Sequence, residues 1–213
     1  MSTFRVLLAA YTVVFLALAI DPVERDTWFA ENLTVWIIVG TLLVLRRRGV
    51  TFTPLAYALM FVLVILHTIG GHYTFARVPF GWVTHLFGFQ RNHYDRIGHL
   101  MQGFGPAIVI RELLLRTSPL VPGKWLFTLV LFSVLGVSAT YELTEWWAAL
   151  AGGEAAGAFL GTQGDVWDTQ WDMFLAGCGA AASQLLLGRR HDRQIAAVDP
   201  AARAKFRPPA TAP

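Results

Sequence analysis

Six long apolar runs constrain this chain more than any other feature: residues 6–20, 28–45, 52–69, 97–115, 125–147 and 171–187. A helix rises about 1.5 Å per residue, so about 20 residues cross a hydrocarbon core of about 30 Å, and most of these runs approach that length. They are continuously apolar and lack the in/out alternation of a transmembrane barrel strand. In lipid every backbone amide needs an internal partner, which leaves helices as the solution. The expectation is an all-α polytopic membrane protein, a bundle of six transmembrane helices. Composition agrees, with 55% of the residues hydrophobic and 15% charged, where a soluble domain carries about 25% charged residues.

Basic residues set an expected orientation. With the N-terminus inside, the inner segments carry Arg5, Arg46, Arg47, Arg48, Arg116, Lys124, Arg189, Arg190, Arg193, Arg203, Lys205 and Arg207. The outer segments carry only Arg25, Arg77, Arg91 and Arg96. Both termini are therefore expected in the cytoplasm. The net charge of +3 reports this topology and points to the bilayer as partner, not to nucleic acid. Ala17, Leu18 and Ala19 resemble a signal-peptidase site, but a single arginine precedes the apolar run, and retention of the first helix is expected.

Residues 1–187 read as a single transmembrane domain, and residues 188–213, basic and rich in Ala and Pro, as a disordered cytoplasmic tail. Between the third and fourth helices, residues 70–94 are too polar to span yet rich in aromatics. There Trp82, Leu86 and Phe89 fall at i, i+4, i+7, the pattern of a short helix lying in the membrane interface. The lone Cys178 excludes an internal disulfide and, between Gly177 and Gly179, reads as helix packing.

Against this apolar background the second half of the chain places costly groups: Asp95, Arg96 and His99; Glu142 and Glu145; Asp165, Asp168 and Asp172. Ionised groups in such places are unfavourable unless paired, hydrated or bound to a cation, so they mark a site. In the expected topology all of them, with His67, converge on the outer ends of four helices, as one outward-facing pocket. Asp95/His99 and Asp168/Asp172 are i, i+4 pairs and Glu142/Glu145 an i, i+3 pair, each on one helix face. Such pairs from packed helices are how bundles build metal sites. Asp95, His99, Asp168 and Asp172 are the candidate ligands. Their oxygen-rich set suits a divalent metal, Mg²⁺, Mn²⁺, Ca²⁺ or Zn²⁺, as cofactor.

Glu142 and Glu145 are candidate general bases, and Arg96 a candidate anchor for an anionic group. His67, His72, His93, Asp165 and Gln170 complete the candidate substrate contacts. The plainer role for Asp95, Asp165 and Asp168 is helix capping. Arg111 and Glu112, at the other end of the fourth helix, read as a local charge pair or a snorkelling arginine outside the site. Gly103, Gly105 and Pro106 permit close packing or a kink in that helix.

The stretches 67–74 (HTIGGHYT), 91–99 (RNHYDRIGH), 141–146 (YELTEW) and 160–173 (LGTQGDVWDTQWDM) resemble the YjdF-like inner-membrane family, from the first helix to about residue 187. The pattern Asp95-Arg96-x-x-His99, Glu142, Asp168-x-x-x-Asp172, then Gly177 and Gly179, is more distantly similar to the VanZ-like family. The first resemblance implies an inner-membrane location and a helical fold, and it assigns no activity. The expected function is a metal-dependent hydrolase acting on a lipid or envelope-derived molecule. The alternatives are a proton-coupled small-molecule transporter or binding protein, and a non-catalytic membrane subunit whose polar cluster ties helices together.

Overall fold

The computed structural model describes residues 2–152 and 163–206. Among them there are seven α-helices and no strand: α1 (Thr3–Leu18), α2 (Arg25–Arg47), α3 (Pro54–His72), α4 (Gly81–Phe87), α5 (Tyr94–Thr117), α6 (Lys124–Gly152) and α7 (Asp168–Val198). Each of the six apolar runs forms a helix of its own over most or all of its length. On length and composition alone, three helices qualify as membrane spans: α2, α3 and α6. The apolar α1 has 16 residues, while α5 and α7 carry charged residues at both ends.

Local chemistry fixes several boundaries. Thr53 caps α3, its side chain accepting the Ala56 N–H at 3.3 Å, and Pro54 follows at the first helical position, where a missing N–H costs nothing. The short α4 ends on Gly88, whose φ of +65° is a left-handed value that glycine adopts without a Cβ penalty. It leaves Trp82, Leu86 and Phe87 exposed.

Helices α1 and α2 pack on α3, α3 on α5, α5 on α7, and α6 on α5 and α7. One apolar core joins Phe4, Tyr11, Val35, Phe61, Val64 and Ile108; a second joins Ala107, Leu126, Val130, Val134, Ala176 and Ala180. The α5/α7 crossing is the closest. A β-carbon on Gly103 would collide with the Ala176 carbonyl, and one on Gly179 with the Leu100 carbonyl. Small residues let helices in lipid approach until their backbones touch.

The two ends of the bundle differ in charge. At the basic end, Glu112 has no solvent exposure. It accepts hydrogen bonds from the Thr53 N–H (3.0 Å) and hydroxyl (2.8 Å), from Arg116 (2.9 Å) and from His191 Nε2 (3.0 Å). Arg111 donates to His191 Nδ1 at 3.2 Å and pairs with Asp192 at 2.7 Å. Because a guanidinium only donates, His191 Nδ1 is the acceptor and Nε2 carries the proton given to Glu112. Arg111 and Glu112 are therefore not a local pair: each is bonded to other residues, including His191 on α7.

The same network corrects the expected tail. α7 continues past residue 187 to Val198, and Ala202–Phe206 forms a 3-10 turn. Gln194 accepts from the Leu55 N–H at 3.0 Å, Asp199 from Arg116 at 3.0 Å, and Lys205 donates to the Leu115 carbonyl at 2.5 Å. Basic and polar residues there are tied to the ends of α3 and α5, which composition alone does not disclose. Residues 207–213 of the expected tail lie outside the described residues.

Candidate functional site

The opposite, acidic end gathers the first turns of α5 and α7 with the late turns of α3 and α6. Asp95 and His99 project from one face of α5. His99 Nε2 lies 3.6 Å from Asp95 Oδ1 and 3.9 Å from Asp172 Oδ2, and its Nδ1 lies 3.8 Å from Glu142 Oε1. These separations exceed hydrogen-bond length, so the groups surround His99 without saturating it. His99 Nδ1, Glu142 Oε1 and Asp172 Oδ1 are buried and make no hydrogen bond. Leaving such atoms unmet is costly, and a ligand or water normally accounts for them. One ligand atom from each of Asp95, His99 and Asp172 lies within 4.8 Å of the others. Atoms bound at about 2.0–2.6 Å to one ion lie about 3–4 Å from one another, so these three could hold a single divalent cation after a small closure.

A second layer lies beside this cluster. Arg91 donates to Asp168 and stands 3.6 Å from Asp165 and 3.9 Å from Asp95. Arg96 donates to Asp165 at 2.5 Å and lies over the Trp171 ring, 5.2 Å from its centroid. Asp165 also accepts the Trp167 N–H at 2.9 Å. That backbone bond first, and then Arg96 and Arg91, hold its carboxyl below the ordinary Asp range despite some desolvation. The segment is stitched to the α5 start by a reciprocal pair: the Asn92 N–H donates to Gln163 Oε1 and Gln163 Nε2 to the Asn92 carbonyl, both at 3.0 Å.

Beneath the cluster is a cavity of about 840 Å³ between α2, α3, α5 and α6. Glu31, His67, Asp95, His99 and Glu145 line one end of it, and Ile38, Met60, Pro106, Val109 and Ile110 the other. His67 Nε2 lies 3.1 Å from the Glu31 carbonyl oxygen and 3.2 Å from Glu31 Oε2; the angles favour the carbonyl, and Oε2 is left without a hydrogen bond. Tyr141 stands between the two histidines, its ring centroid 6.3 Å from that of His67 and 6.0 Å from that of His99.

The structure thus sorts the expected residues. Asp95, His99, Glu142 and Asp172 come together, and Glu145 and His67 face the same cavity. Asp168 stands outside the Asp95/His99/Asp172 group because Arg91 engages it, and Arg96 is held by Asp165 and Trp171 and does not line the cavity. His72 Nδ1 contacts the Leu18 carbonyl oxygen at 2.8 Å, fastening α1 to α3. The His93 ring packs edge-on to Phe89, centroids 4.3 Å apart, and burial, then Arg96 and Arg91, hold its pKa below the ordinary histidine value. Gln170 is exposed. Glu31 and Arg91 were not among the expected site residues: Glu31 is the carboxylate near the start of the second apolar run, and Arg91 gave no signal beyond its charge.

Residues 3–193 match a family described as "Predicted membrane protein (DUF2238)". The inner membrane protein YjdF of Escherichia coli (strain K12) is 45% identical over 185 residues, covering 86% of this chain and 88% of that protein. No solved structure matches the chain significantly. These matches do not show the more distant similarity to the VanZ-like family.

Proposed function

The chain belongs to the DUF2238 family of predicted membrane proteins, and on that premise we propose a six-span inner-membrane enzyme that hydrolyses a lipid or envelope-derived ester with a divalent ion. The observation that carries this reading is the placement of the Asp95/His99/Asp172 group at the polar end of an otherwise apolar cavity. The six-span count is supported by length: α5 and α7 have 24 and 31 residues, about 36 and 46 Å at helical rise, with residues 97–110 and 173–188 free of Asp, Glu, Lys and Arg. The distribution of arginines supports cytoplasmic termini, which puts the acidic end outside, and the exposed aromatics of α4 suit the interface on that side.

In this reading Asp95, His99 through Nε2, and Asp172 would hold a divalent ion, and its chemistry there would be that of a Lewis acid. Glu142, beside His99 Nδ1, is a positioning residue: a carboxylate on the far nitrogen orients a ligating imidazole. Glu145, which lines the cavity, is the general base. It takes a proton as water oxygen bonds to the acyl or phosphoryl centre. The ester bond breaks, and Glu145 returns the proton to the departing alkoxide. Asp165, Asp168, Arg91 and Arg96 hold the α5 and α7 termini in register around this group.

Metal analysis of the purified protein tests the proposal. About one equivalent is expected in the wild type and in Asp168→Asn, and much less than one in His99→Ala and Asp172→Asn. A wild type isolated without chelators and carrying no stoichiometric divalent metal would sink it.

A further inference from the structure

The shape of the cavity says more about its ligand than the carboxylates do. On α6, Ser133, Gly136, Val137, Thr140 and Thr144 share one helical face and line the cavity, and all five are exposed. α6 rests on α5 and α7, so this face of small and hydroxylic residues looks across a gap towards α2 and α3. From Ser133 to Glu145 the slot extends over about 18 Å at helical rise, close to the roughly 15 Å of one leaflet's hydrocarbon. Its residues are graded along that length. Glu31, His67, Asp95 and Glu145 lie at the acidic end, and Ile38, Met60 and Ile110 lie at the deeper end. A water-soluble substrate has no use for such a slot, whereas a chain drawn from the adjacent leaflet fits it in depth and polarity.

The head is constrained by charge. Three carboxylates, Glu31, Asp95 and Glu145, line the mouth with His67 and His99 between them, and among the described residues no arginine or lysine does. Arg91 and Arg96 make their closest contacts with Asp168 and Asp165, and Arg91, at 3.9 Å from Asp95, does not line the cavity. Glu31 is buried, and its Oε2 accepts no hydrogen bond. We infer that the slot binds a single long-chain amphiphile with an amine-bearing head, entering sideways from the membrane between α2 and α6. Like-charge contact with the carboxylates selects against an anionic head. The inference rests on the membrane-embedded reading above and names the substrate class of the same site, but it requires neither the metal nor turnover.

The test uses the full chain in lipid nanodiscs and three photoreactive probes with an identical 16-carbon chain, one with an amine head, one with a hydroxyl head and one with a sulfate head. The amine probe is expected to label the α5 and α6 faces around Val109, Ile110 and Val137, about tenfold more strongly than the sulfate probe. Gly136→Trp fills the slot from a position where an added β-carbon meets nothing within 4 Å, and it should lower this labelling about tenfold. Phe132→Trp, on the exposed outer side of α6, should leave it unchanged. The double variant Glu31→Gln, Glu145→Gln should abolish the preference for the amine head while keeping chain labelling. Equal labelling by amine and sulfate probes, or undiminished labelling in a monodisperse Gly136→Trp protein, overturns the inference. Asp172→Asn, which removes the proposed ion, should still be labelled, so failure of the hydrolase reading and failure of the slot are separable.

Discussion

Gly103 of α5 lies against the backbone carbonyl of Ala176 of α7 with no room for a β-carbon between them. The contact repeats one turn away, where Gly179 meets the Leu100 carbonyl. Both contacts lie on the stretch of α5 just below His99 and of α7 just below Asp172. The approach of these two backbones is what brings Asp172 within reach of Asp95 and His99. Gly103→Ala should therefore destabilise the protein by about 3 kcal/mol or more, since a backbone carbonyl, unlike a side chain, does not swing aside. Gly136→Ala, where the added carbon meets nothing, should change thermal stability in detergent by less than about 1 kcal/mol.

Removing Glu112 should be among the most damaging changes at the basic end. Glu112→Ala strands the Thr53 donors, His191 and Arg116 around a buried void, a loss of about 3–5 kcal/mol. Glu112→Gln keeps the shape and part of the acceptor capacity and should cost less. Differential scanning fluorimetry of the two variants measures the order, and an alanine variant as stable as the glutamine one would contradict the network.

Arg91 and Asp168 make a separable prediction. Asp168→Ala removes one partner of a cation that still has Asp165 at 3.6 Å and Asp95 at 3.9 Å. The loss should therefore be about 1–3 kcal/mol, smaller than for an isolated buried pair. Limited proteolysis around residues 163–168 should speed up in this variant. Unchanged cleavage would show that the pair does not hold that segment.

Asp165 supplies a pH dependence of known sign. It lies between α6 and α7, outside the spanning helices, and the Trp167 N–H followed by Arg96 and Arg91 depress its native pKa below 3.8. The stability it contributes is complete above its unfolded value and is lost as pH falls through the depressed native one. Between about pH 5 and 7 the wild type should melt above Asp165→Asn by a constant margin, which narrows below about pH 4. A margin that widened on acidification would reverse the sign.

Much of this molecule is legible without coordinates. The six apolar runs each become a helix, because a continuous apolar run with no alternation and few glycines has no other way to satisfy its backbone in lipid. The grouping of Asp95 with His99 follows from i, i+4 spacing, and the shared end of the bundle follows from helix direction. Residue types and spacing do not say which carboxylate a given arginine will take. Asp168 has the same i, i+4 relation to Asp172 that Asp95 has to His99, yet Arg91, 77 residues away, claims it.

Sequence by itself determined the helical class, the apolar register of each helix and the identity of the costly polar groups, since these depend on local composition and on the helical repeat. Tertiary structure decided which of those groups meet. The glycine contacts set the α5/α7 distance, arginines withdrew Asp165 and Asp168 from the cluster, and His191 joined Glu112 across the helix interface. It also decided that Glu31 of α2 faces the same cavity as Glu145 of α6. Burial and pairing of charge are properties of the assembled bundle: their energies depend on neighbours distant in the chain, which no local pattern of residues specifies.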